Sequence, residues 1–354
     1  MKQINSEENL ATIISEIGEK KFRAKQIWDW IYRQGCSDFM LMSDLPINLR
    51  QKLSSVIRIP RLKNIMELMS RDGTMKWLFG LDDKNEVETV FIPEENRGTV
   101  CVSSQVGCTL TCKFCYTGTQ KLVRNLTTDE IVSQVMIVKD KIEDWPVSNE
   151  KKLTNIVFMG MGEPMLNYDN VADSVRILTD KEGLNYGRKR ITISTSGLIP
   201  QIERCADELG VRLAISLHAV NDELRNELVP INKKYPINQL LNACKAYADA
   251  TSGERITFEY VMLDAINDSD DDARKLVSLL KNISSKVNLI PFNPWPGSPY
   301  KCSSRERIKR FASIVERAGY MAPVRVTRGQ DIMAACGQLK SSSLKTNRLK
   351  PLNT

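Results

Sequence analysis

The chain has 354 residues, of which 42% are hydrophobic and 26% are charged, and its formal net charge is +7. This composition is that of an ordinary soluble globular protein, and no apolar run is long enough to span a membrane. Nine cysteines without a leading signal segment argue against a disulfide scaffold, so we expect a cytoplasmic protein. Four of the positive charges lie in the last fifteen residues, so any nucleic-acid contact of the folded body must come from local patches.

Residues 1–55 are predicted to form a small helical accessory domain. Apolar side chains recur at helical spacing between Phe22 and Arg33, and the stretch from Ser43 to Pro46 is typical of a helix start. Basic residues flank Trp28 and Trp30, a combination suited to an RNA backbone. A solvated basic face over a small core with buried tryptophans fits the same pattern, so both interpretations stay open.

Residues 56–98 are predicted to form a β-rich extension. The segments Lys76–Leu81 and Val87–Ile92 alternate and carry β-forming residues, with turn residues between them. We expect a small antiparallel piece that leads into the catalytic domain. At the other end of the chain, residues 340–354 are rich in Ser, Lys and Asn and are predicted to be a basic, disordered tail.

Between residues 99 and 339 the pattern becomes six strand–helix units. It predicts an α/β fold, a partial (βα)6 barrel related to the eightfold TIM barrel. The predicted strands lack strict alternation, as expected of parallel strands covered on both faces. Capping boxes at Thr127 with Glu130 and at Ser303 with Glu306 predict two helix starts. The six predicted strands are Thr99–Ser103, Asn155–Met159, Arg190–Ser194, Arg212–Leu217, Ile256–Met262 and Lys286–Ile290.

Three cysteines, Cys108, Cys112 and Cys115, lie within eight residues in the spacing C-x3-C-x2-C. Three thiolates this close can bind a 4Fe–4S cluster and leave one iron that no cysteine holds. Enzymes of the radical-SAM type bind S-adenosylmethionine at that open iron, and Phe114 before the last cysteine is typical of them. A zinc knuckle is the alternative, but zinc sites usually need a fourth Cys or His at matching spacing, and none lies nearby.

Polar and glycine-rich motifs follow the predicted strands, where a parallel barrel collects its active residues. Gly162 and Glu163 follow the second strand; glycine allows close backbone approach and the carboxylate can receive an ammonium group. A serine at a strand end is more often a helix cap, and a lone histidine is usually structural, so each signal is weak alone. Their shared position on one rim predicts a common site. The other strand-end residues are Ser194, Ser216, Leu217, His218 and Asn293.

From about Trp28 to Leu339 the sequence resembles the dual-specificity 23S rRNA and tRNA adenine-C2 methyltransferases, the RlmN family of radical-SAM enzymes. The order and spacing of the motifs fit throughout, which makes the resemblance specific. Besides the cysteine triplet, the matching stretches are residues 87–93, 101–108, 158–164, 194–197, 216–218, 291–294 and 335–337. The resemblance implies a radical-SAM barrel that methylates RNA.

The resemblance also implies a role for each matching residue. Cys108, Cys112 and Cys115 would bind one 4Fe–4S cluster. Cys336 would carry a methyl group as S-methylcysteine, and Cys101 would resolve a covalent protein–RNA intermediate through a transient disulfide with Cys336. Glu88 would remove the substrate proton. Without the resemblance, both thiols would be interpreted as small buried apolar groups and Glu88 as a solvent-facing side chain. S-adenosylmethionine would be bound by Gly162, Glu163, Ser194, Ser216, Leu217, His218 and Asn293.

The family chemistry explains why such residues are needed. Carbon 2 of adenine lies between two ring nitrogens and has no lone pair, so it cannot attack a methyl sulfonium. In the family mechanism one S-adenosylmethionine methylates Cys336, and a second yields a 5′-deoxyadenosyl radical that takes hydrogen from that methyl group. The resulting carbon radical adds to carbon 2, and Glu88 and Cys101 then release the product. The base must be unstacked to react, which favours RNA loops.

The resemblance implies 23S rRNA, tRNA and an electron donor of the flavodoxin type as partners, with no membrane and with a monomer as the default. The nearest alternative is the adenine-C8 rRNA methyltransferase of the antibiotic-resistance branch, which shares the cluster and both extra cysteines. Length and the N-terminal stretch favour carbon 2. The alternative from another class is a non-catalytic Fe–S or zinc RNA-binding protein.

Overall fold

A computed structural model describes residues 2–343, and a nine-stranded mixed sheet is its centre. The strand order in this sheet is β1-β2-β3-β4-β7-β8-β9-β10-β11, and β5 and β6 form a separate ribbon. The strands are β1 (Lys63–Met69), β2 (Met75–Gly80), β3 (Glu86–Glu94), β4 (Arg97–Cys101), β5 (Gln105–Val106), β6 (Arg124–Asn125), β7 (Asn155–Phe158), β8 (Ile191–Thr195), β9 (Arg212–Ser216), β10 (Ile256–Met262) and β11 (Ser285–Pro291).

Six strands of this sheet are parallel and form the predicted (βα)6 barrel. β4, β7, β8, β9, β10 and β11 pair in that order; one or two α-helices connect each of the first five strands to the next, and α10 follows β11. The register aligns Ser216 with Glu259, and Glu259 with Asn288. The helices are α1 (Glu7–Glu16), α2 (Phe22–Trp28), α3 (Ile47–Val56), α4 (Thr128–Lys141), α5 (Tyr168–Thr179), α6 (Ile199–Glu208), α7 (Asp222–Leu228), α8 (Ile237–Ala250), α9 (Asp270–Leu279) and α10 (Arg305–Arg317).

Antiparallel strands β1, β2 and β3 confirm the predicted β-rich extension and continue the barrel sheet through β4. The N-terminal helices pack around Trp28 and Tyr32, whose rings lie 4.3 Å apart, and α2 continues as a π-helical turn over Asp29–Arg33. An ion pair of 2.6 Å between Arg61 and Asp140 joins the segment after this helical domain to α4. The accessory domain therefore rests on the outside of the barrel.

One of the two predicted capping boxes is present in the structure, and the other is not. α4 begins after Thr127, with the reciprocal Thr127 and Glu130 bonds both present. The box predicted at Ser303 is wrong by one residue, because Ser304 caps α10 and accepts from the Arg307 N–H at 3.2 Å. Ser303 is instead buried in the extended chain, where its N–H donates to the Met262 carbonyl.

The chain after α10 returns to the barrel. Bridges from Met321 to Lys286 and from Val324 to Leu289 place it beside β11. Residues 340–343, the first four of the predicted tail, pack on the barrel through bonds of Ser341 and Ser343 with Gln120; residues 344–354 lie outside the described residues. Within residues 2–343 no helix is both long enough and apolar enough to cross a bilayer.

Candidate active site

The three clustered cysteines occupy the loop between β5 and β6, directly after the first barrel strand. The ribbon of these two short strands closes the loop at its base, and Cys108 bridges to Lys121. Inside the loop the Cys115 N–H donates to the Cys112 carbonyl at 3.1 Å, and the Gly118 N–H donates to the Cys115 carbonyl at 3.1 Å. These turns direct all three thiols into one cavity.

Burial raises the pKa of each of these thiols, and their proximity raises it further for two of them. Burial and the charge of Cys115 raise the pKa of Cys112 to about 12. Burial and the charges of the two neighbouring cysteines also raise the pKa of Cys108. Thiolates in such a place require nearby positive charge, which iron ions supply. In a cubane each cysteine binds a different iron, and three thiols that line one cavity provide such a donor set. The donor set therefore fits a cluster.

A cavity of about 150 Å³ lies beside the cysteine loop at the C-terminal ends of the barrel strands. Leu217 is the one predicted S-adenosylmethionine residue that does not line it, because its side chain is fully buried in the core. The cavity therefore brings together residues that are far apart in sequence. The predicted residues that line it are Cys108, Cys112, Cys115, Gly162, Glu163, Ser194, Ser216, His218, Asn293 and Cys336.

Glu163 is fixed by the backbone around it. Its carboxylate accepts from the Met165 N–H at 3.1 Å and from the Ser196 N–H at 2.9 Å. Burial nevertheless raises the pKa of Glu163. Gly162 precedes it with φ of +96°, and a Cβ there would lie 2.5 Å from Gln105 Cβ, so only glycine fits. The carboxylate is thus preorganised to receive a cationic group.

His218 is a neutral, oriented ring. Its Nδ1 accepts from the Val261 N–H at 3.0 Å, which leaves the proton on Nε2. Burial, helped by the charge of Arg225, lowers the pKa of His218 to about 3. The ring packs edge-on against Phe114 at 4.4 Å between centroids, so it also supports the cysteine loop.

Cys336 lies between two cavities. One is the cavity of the cysteine loop; the other, of about 450 Å³, runs through the barrel and contains Cys101. The backbone carbonyl of Cys336 accepts from Asn293 Nδ2 at 3.2 Å, and the next carbonyl, of Gly337, accepts from the Tyr116 N–H at 2.7 Å. The methyl-carrying candidate is therefore tied to the cysteine loop by hydrogen bonds.

Cys101 ends β4 and lines the second cavity together with Cys336. Burial, and then the neighbouring charge of Cys336, raises the pKa of Cys101 to about 12. All nine cysteines are free, so the transient disulfide predicted for Cys101 and Cys336 is not formed in this structure.

Glu88 lies apart from both cavities, on β3. It is 7% exposed, so the solvent-facing interpretation is wrong. Its carboxylate pairs with Lys76 Nζ at 2.8 Å and accepts from the Lys340 N–H at 2.8 Å. Burial raises the pKa of Glu88 in spite of that pairing. The structure connects Glu88 to the segment after Cys336 and does not place it at the thiols.

Sequence reasoning missed two arginines at the site. Arg225 of α7 is fully buried and donates to the carbonyls of Ser196, Ser216 and Leu217 at 2.8, 2.9 and 3.0 Å. Arg325 lines both cavities and lies 3.9 Å from Glu259, a buried carboxylate on β10. No motif or periodicity marks either arginine, because Arg225 joins the ends of two different strands and Arg325 meets Glu259 of a third.

Comparison with known proteins agrees with this geometry. The family model of the radical SAM superfamily matches residues 102–277, and that of the ribosomal RNA large subunit methyltransferase N-terminal domain matches residues 5–59. A dual-specificity RNA methyltransferase RlmN of Rhodospirillum rubrum is 55% identical over 96% of this chain and 80% of its own length. The protein of that name from Parvibaculum lavamentivorans is 57% identical over 92% of this chain and 84% of its own.

A solved structure has the same fold over nearly the whole chain. The radical SAM methyltransferase from Sphaerobacter thermophilus superimposes with a TM-score of 0.90 at 46% identity, covering 94% of this chain and 97% of that one. The similarity thus extends over both the accessory domain and the barrel.

Proposed function

The chain belongs to the RlmN family of dual-specificity RNA methyltransferases in the radical SAM superfamily, and from this premise we propose its reaction. It methylates carbon 2 of an adenosine in the peptidyl-transferase centre of 23S rRNA and of the adenosine 3′ of the tRNA anticodon. The relatives support this function over the adenine-C8 branch and over a non-catalytic RNA-binding protein.

Two groups of residues would bind the cofactors. Cys108, Cys112 and Cys115 would hold one 4Fe–4S cluster, which when bound supplies the electron that cleaves S-adenosylmethionine. Glu163 would receive the amino group of S-adenosylmethionine, because its carboxylate is held by two backbone N–H groups and faces the cavity. The other residues proposed to bind S-adenosylmethionine are Gly162, Ser194, Ser216, His218 and Asn293, which line the cavity, and Leu217, whose buried side chain does not line it.

The position of Cys336 between the two cavities is the observation that carries the proposal. On the cluster side its thiolate takes a methyl group from one S-adenosylmethionine. On the barrel side the same sulfur presents that methyl group, after loss of one hydrogen, to carbon 2 of the target base. The adduct radical would give up one electron to the bound cluster, and a base would remove the proton from carbon 2. Cys101 then attacks the Cys336 sulfur, so that the sulfur–carbon bond to the product breaks, the released carbon takes a proton and becomes the methyl group, and the transient disulfide forms. Two electrons from the reducing partner would return the disulfide to thiols before the next turnover.

Glu88 is proposed as the base that removes the proton from carbon 2. Its carboxylate is now bound to Lys76 and to the Lys340 N–H, so this role requires the segment after Cys336 to shift. A carboxylate whose pKa is raised by burial is better matched to proton transfer near neutral pH than an exposed one.

The partners follow from the reaction. RNA is the substrate, and the accessory domain of residues 1–55 supplies a surface for it, in agreement with the matching family model of an rRNA methyltransferase N-terminal domain. A small reducing protein of the flavodoxin type would deliver the electron. We also propose that the protein is a monomer and that it acts in the cytoplasm.

A deuterium experiment tests this route. Anaerobically reconstituted protein receives S-adenosylmethionine with a trideuterated methyl group and either RNA. The product should keep two deuteria while 5′-deoxyadenosine gains one, because one hydrogen leaves the methyl group of Cys336. Retention of all three deuteria would refute the route, and mass spectrometry that locates the methyl at carbon 8 would overturn the regiochemistry.

Cysteine variants test the two thiols separately. Cys336→Ala should give neither product nor covalent adduct, whereas Cys101→Ala should accumulate the adduct. Cys205→Ala is the matched control, because Cys205 is also buried but lies in α6 against Tyr247. A Cys101→Ala protein with normal turnover would remove the proposed role of Cys101.

A further inference from the structure

The second cavity passes from the reactive thiols to the N-terminal ends of the barrel strands. Cys101 and Cys336 line its inner end. Asn155 and Arg212, the first residues of β7 and β9, line its outer end together with Lys286 at the start of β11. The cavity of the cysteine loop lies at the opposite strand ends, where S-adenosylmethionine would bind. A second molecule that reacts at Cys336 therefore has this passage available to it.

Positive charge is concentrated along this passage. Its lining contains five cations and only two carboxylates, Glu94 and Glu259. The outer cations have weak partners: Arg97 lies 3.8 Å from Glu94, and Arg212 lies 3.9 Å from Glu254. Lys286 forms no ion pair with any residue that the structure describes. The five cations are Arg97, Arg212, Lys286, Arg325 and Arg328.

Like charges held together in a partly buried place repel one another, and this repulsion costs free energy unless an anion is bound. The pKa of Lys286 reflects that environment: burial lowers it most, the charge of Glu259 opposes this, and the charges of Arg212 and Arg97 lower it further. The arrangement is that of an anion-binding rim, which we define as Arg97, Arg212 and Lys286.

The accessory domain docks at the same end of the barrel. The Val147 N–H donates to the Arg33 carbonyl at 2.8 Å, and Lys25 lies 3.6 Å from Glu182. Val147 is in the segment that leads into β7, and Glu182 is in the segment that leads into β8. RNA bound to the accessory domain is therefore at the same end of the barrel as the rim and at the opposite end from the cysteine loop.

We propose that the target adenosine enters through this passage and that Arg97, Arg212 and Lys286 bind the phosphodiester groups next to it. The inference rests on RNA being the substrate. Arginine and lysine bind phosphate without reading sequence. Such a contact suits a site that must accept two different RNAs, since a backbone phosphate is what an rRNA loop and a tRNA loop share.

The test replaces the rim charges and follows RNA and S-adenosylmethionine separately. The variants are Arg97→Gln, Arg212→Gln, Lys286→Gln and the triple substitution, with Arg317→Gln on the exposed face of α10 as the matched control. The side chains of Arg97 and Arg212 are 52% and 49% exposed, so these proteins should fold. Methylation of Cys336 in the absence of RNA reports an intact cluster and S-adenosylmethionine site.

The triple variant should raise the KM for both RNAs on the order of 10-fold or more. It should also lower the slope of log K against log salt by roughly 0.7 for each phosphate that the protein no longer neutralises. Cys336 methylation without RNA should stay at the wild-type rate. Arg97→Lys and Arg212→Lys should retain the salt slope, because they keep the charge. An unchanged KM and an unchanged salt slope in the triple variant would refute the proposal that the rim binds RNA phosphates. A wild-type protein that methylates Cys336 but no RNA would overturn the proposed function itself.

Discussion

Removal of Arg225 is expected to weaken S-adenosylmethionine binding, because this side chain restrains two strand ends at the candidate site. The guanidinium donates to carbonyls at the ends of β8 and β9 and to Asn232 Oδ1 at 2.8 Å. Those strand ends carry Ser194 and Ser216. The side chain thus holds two strand ends of the cavity proposed for S-adenosylmethionine at a fixed separation.

Two opposing effects determine the stability of Arg225→Met. Each carbonyl that loses its donor costs about 1–3 kcal/mol, so the three carbonyls cost a minimum of about 3 kcal/mol. Burial lowers the pKa of Arg225 to about 10, and that shift corresponds to roughly 3 kcal/mol against the buried cation. The second effect offsets the first only at this minimum, so Arg225→Met should also lose stability, while the carbonyls at the cavity lose their restraint.

The assay is equilibrium binding of S-adenosylmethionine, followed by the change that it causes in the electron paramagnetic resonance spectrum of the reduced cluster. Outer residues that orient a site typically contribute 10–100-fold, so we expect a loss of affinity on the order of 10-fold or more. Arg225→Lys keeps the charge without the planar fork and should lose nearly as much.

The control is Arg50→Lys, because Arg50 also donates to three carbonyls, those of Leu45, Met40 and Ser43, but in the accessory domain. Its S-adenosylmethionine affinity should match the wild type. Binding within about twofold of wild type in both Arg225 variants would refute the reasoning, since the loss of a residue that orients a site is expected to exceed that.

Three further predictions concern single groups. His218 is the one histidine of the sequence, and its pKa of about 3 keeps it neutral, so its imidazole NMR signal should not titrate between about pH 5 and 8. The pKa of His218 is higher in the unfolded chain, so the stability that the buried neutral ring contributes is lost as the pH falls below about 6.5. An imidazole signal that titrates near the ordinary pKa of histidine would contradict the burial of His218. Gly118→Ala should lower the iron bound per chain roughly twofold or more, because the added Cβ would lie 2.6 Å from the Cys112 carbonyl oxygen. An unchanged iron content would show that the cysteine loop can move to accept the added carbon. Asp144→Ala should cost about 3–5 kcal/mol in urea unfolding, because it leaves the fully buried Lys139 unpaired; a change below about 1 kcal/mol would contradict this.

The barrel was predictable because its signals are local. Strand composition and the Thr127 capping box both depend on residues a few positions apart in sequence. The parallel strands of the structure lie close to the predicted ranges. The Ser303 box shows the limit of such signals: two adjacent serines could cap α10, and the choice of Ser304 depends on the extended chain near Met262.

The support of the site was not predictable in this way. Arg225 lies in a short polar helix, where a charge is normally interpreted as solvated, and its acceptor Ser196 is 29 residues away in sequence. Arg325 and Glu259 meet only because the chain after α10 returns beside β11. Long-range partners of this kind exist only once the barrel has closed.

The hydrogen bonds between the cysteine loop and the segment of Cys336 have a consequence for biosynthesis. A ribosome translates Cys108, Cys112 and Cys115 long before it reaches Cys336. Until then the nascent loop lacks the Gly337 carbonyl that receives the Tyr116 N–H and the Leu339 carbonyl that receives the Thr117 hydroxyl at 2.5 Å. An incomplete polypeptide therefore contains the cysteines proposed to hold the cluster but not the thiol proposed to use the radical, and the final segment both closes the loop and provides that thiol.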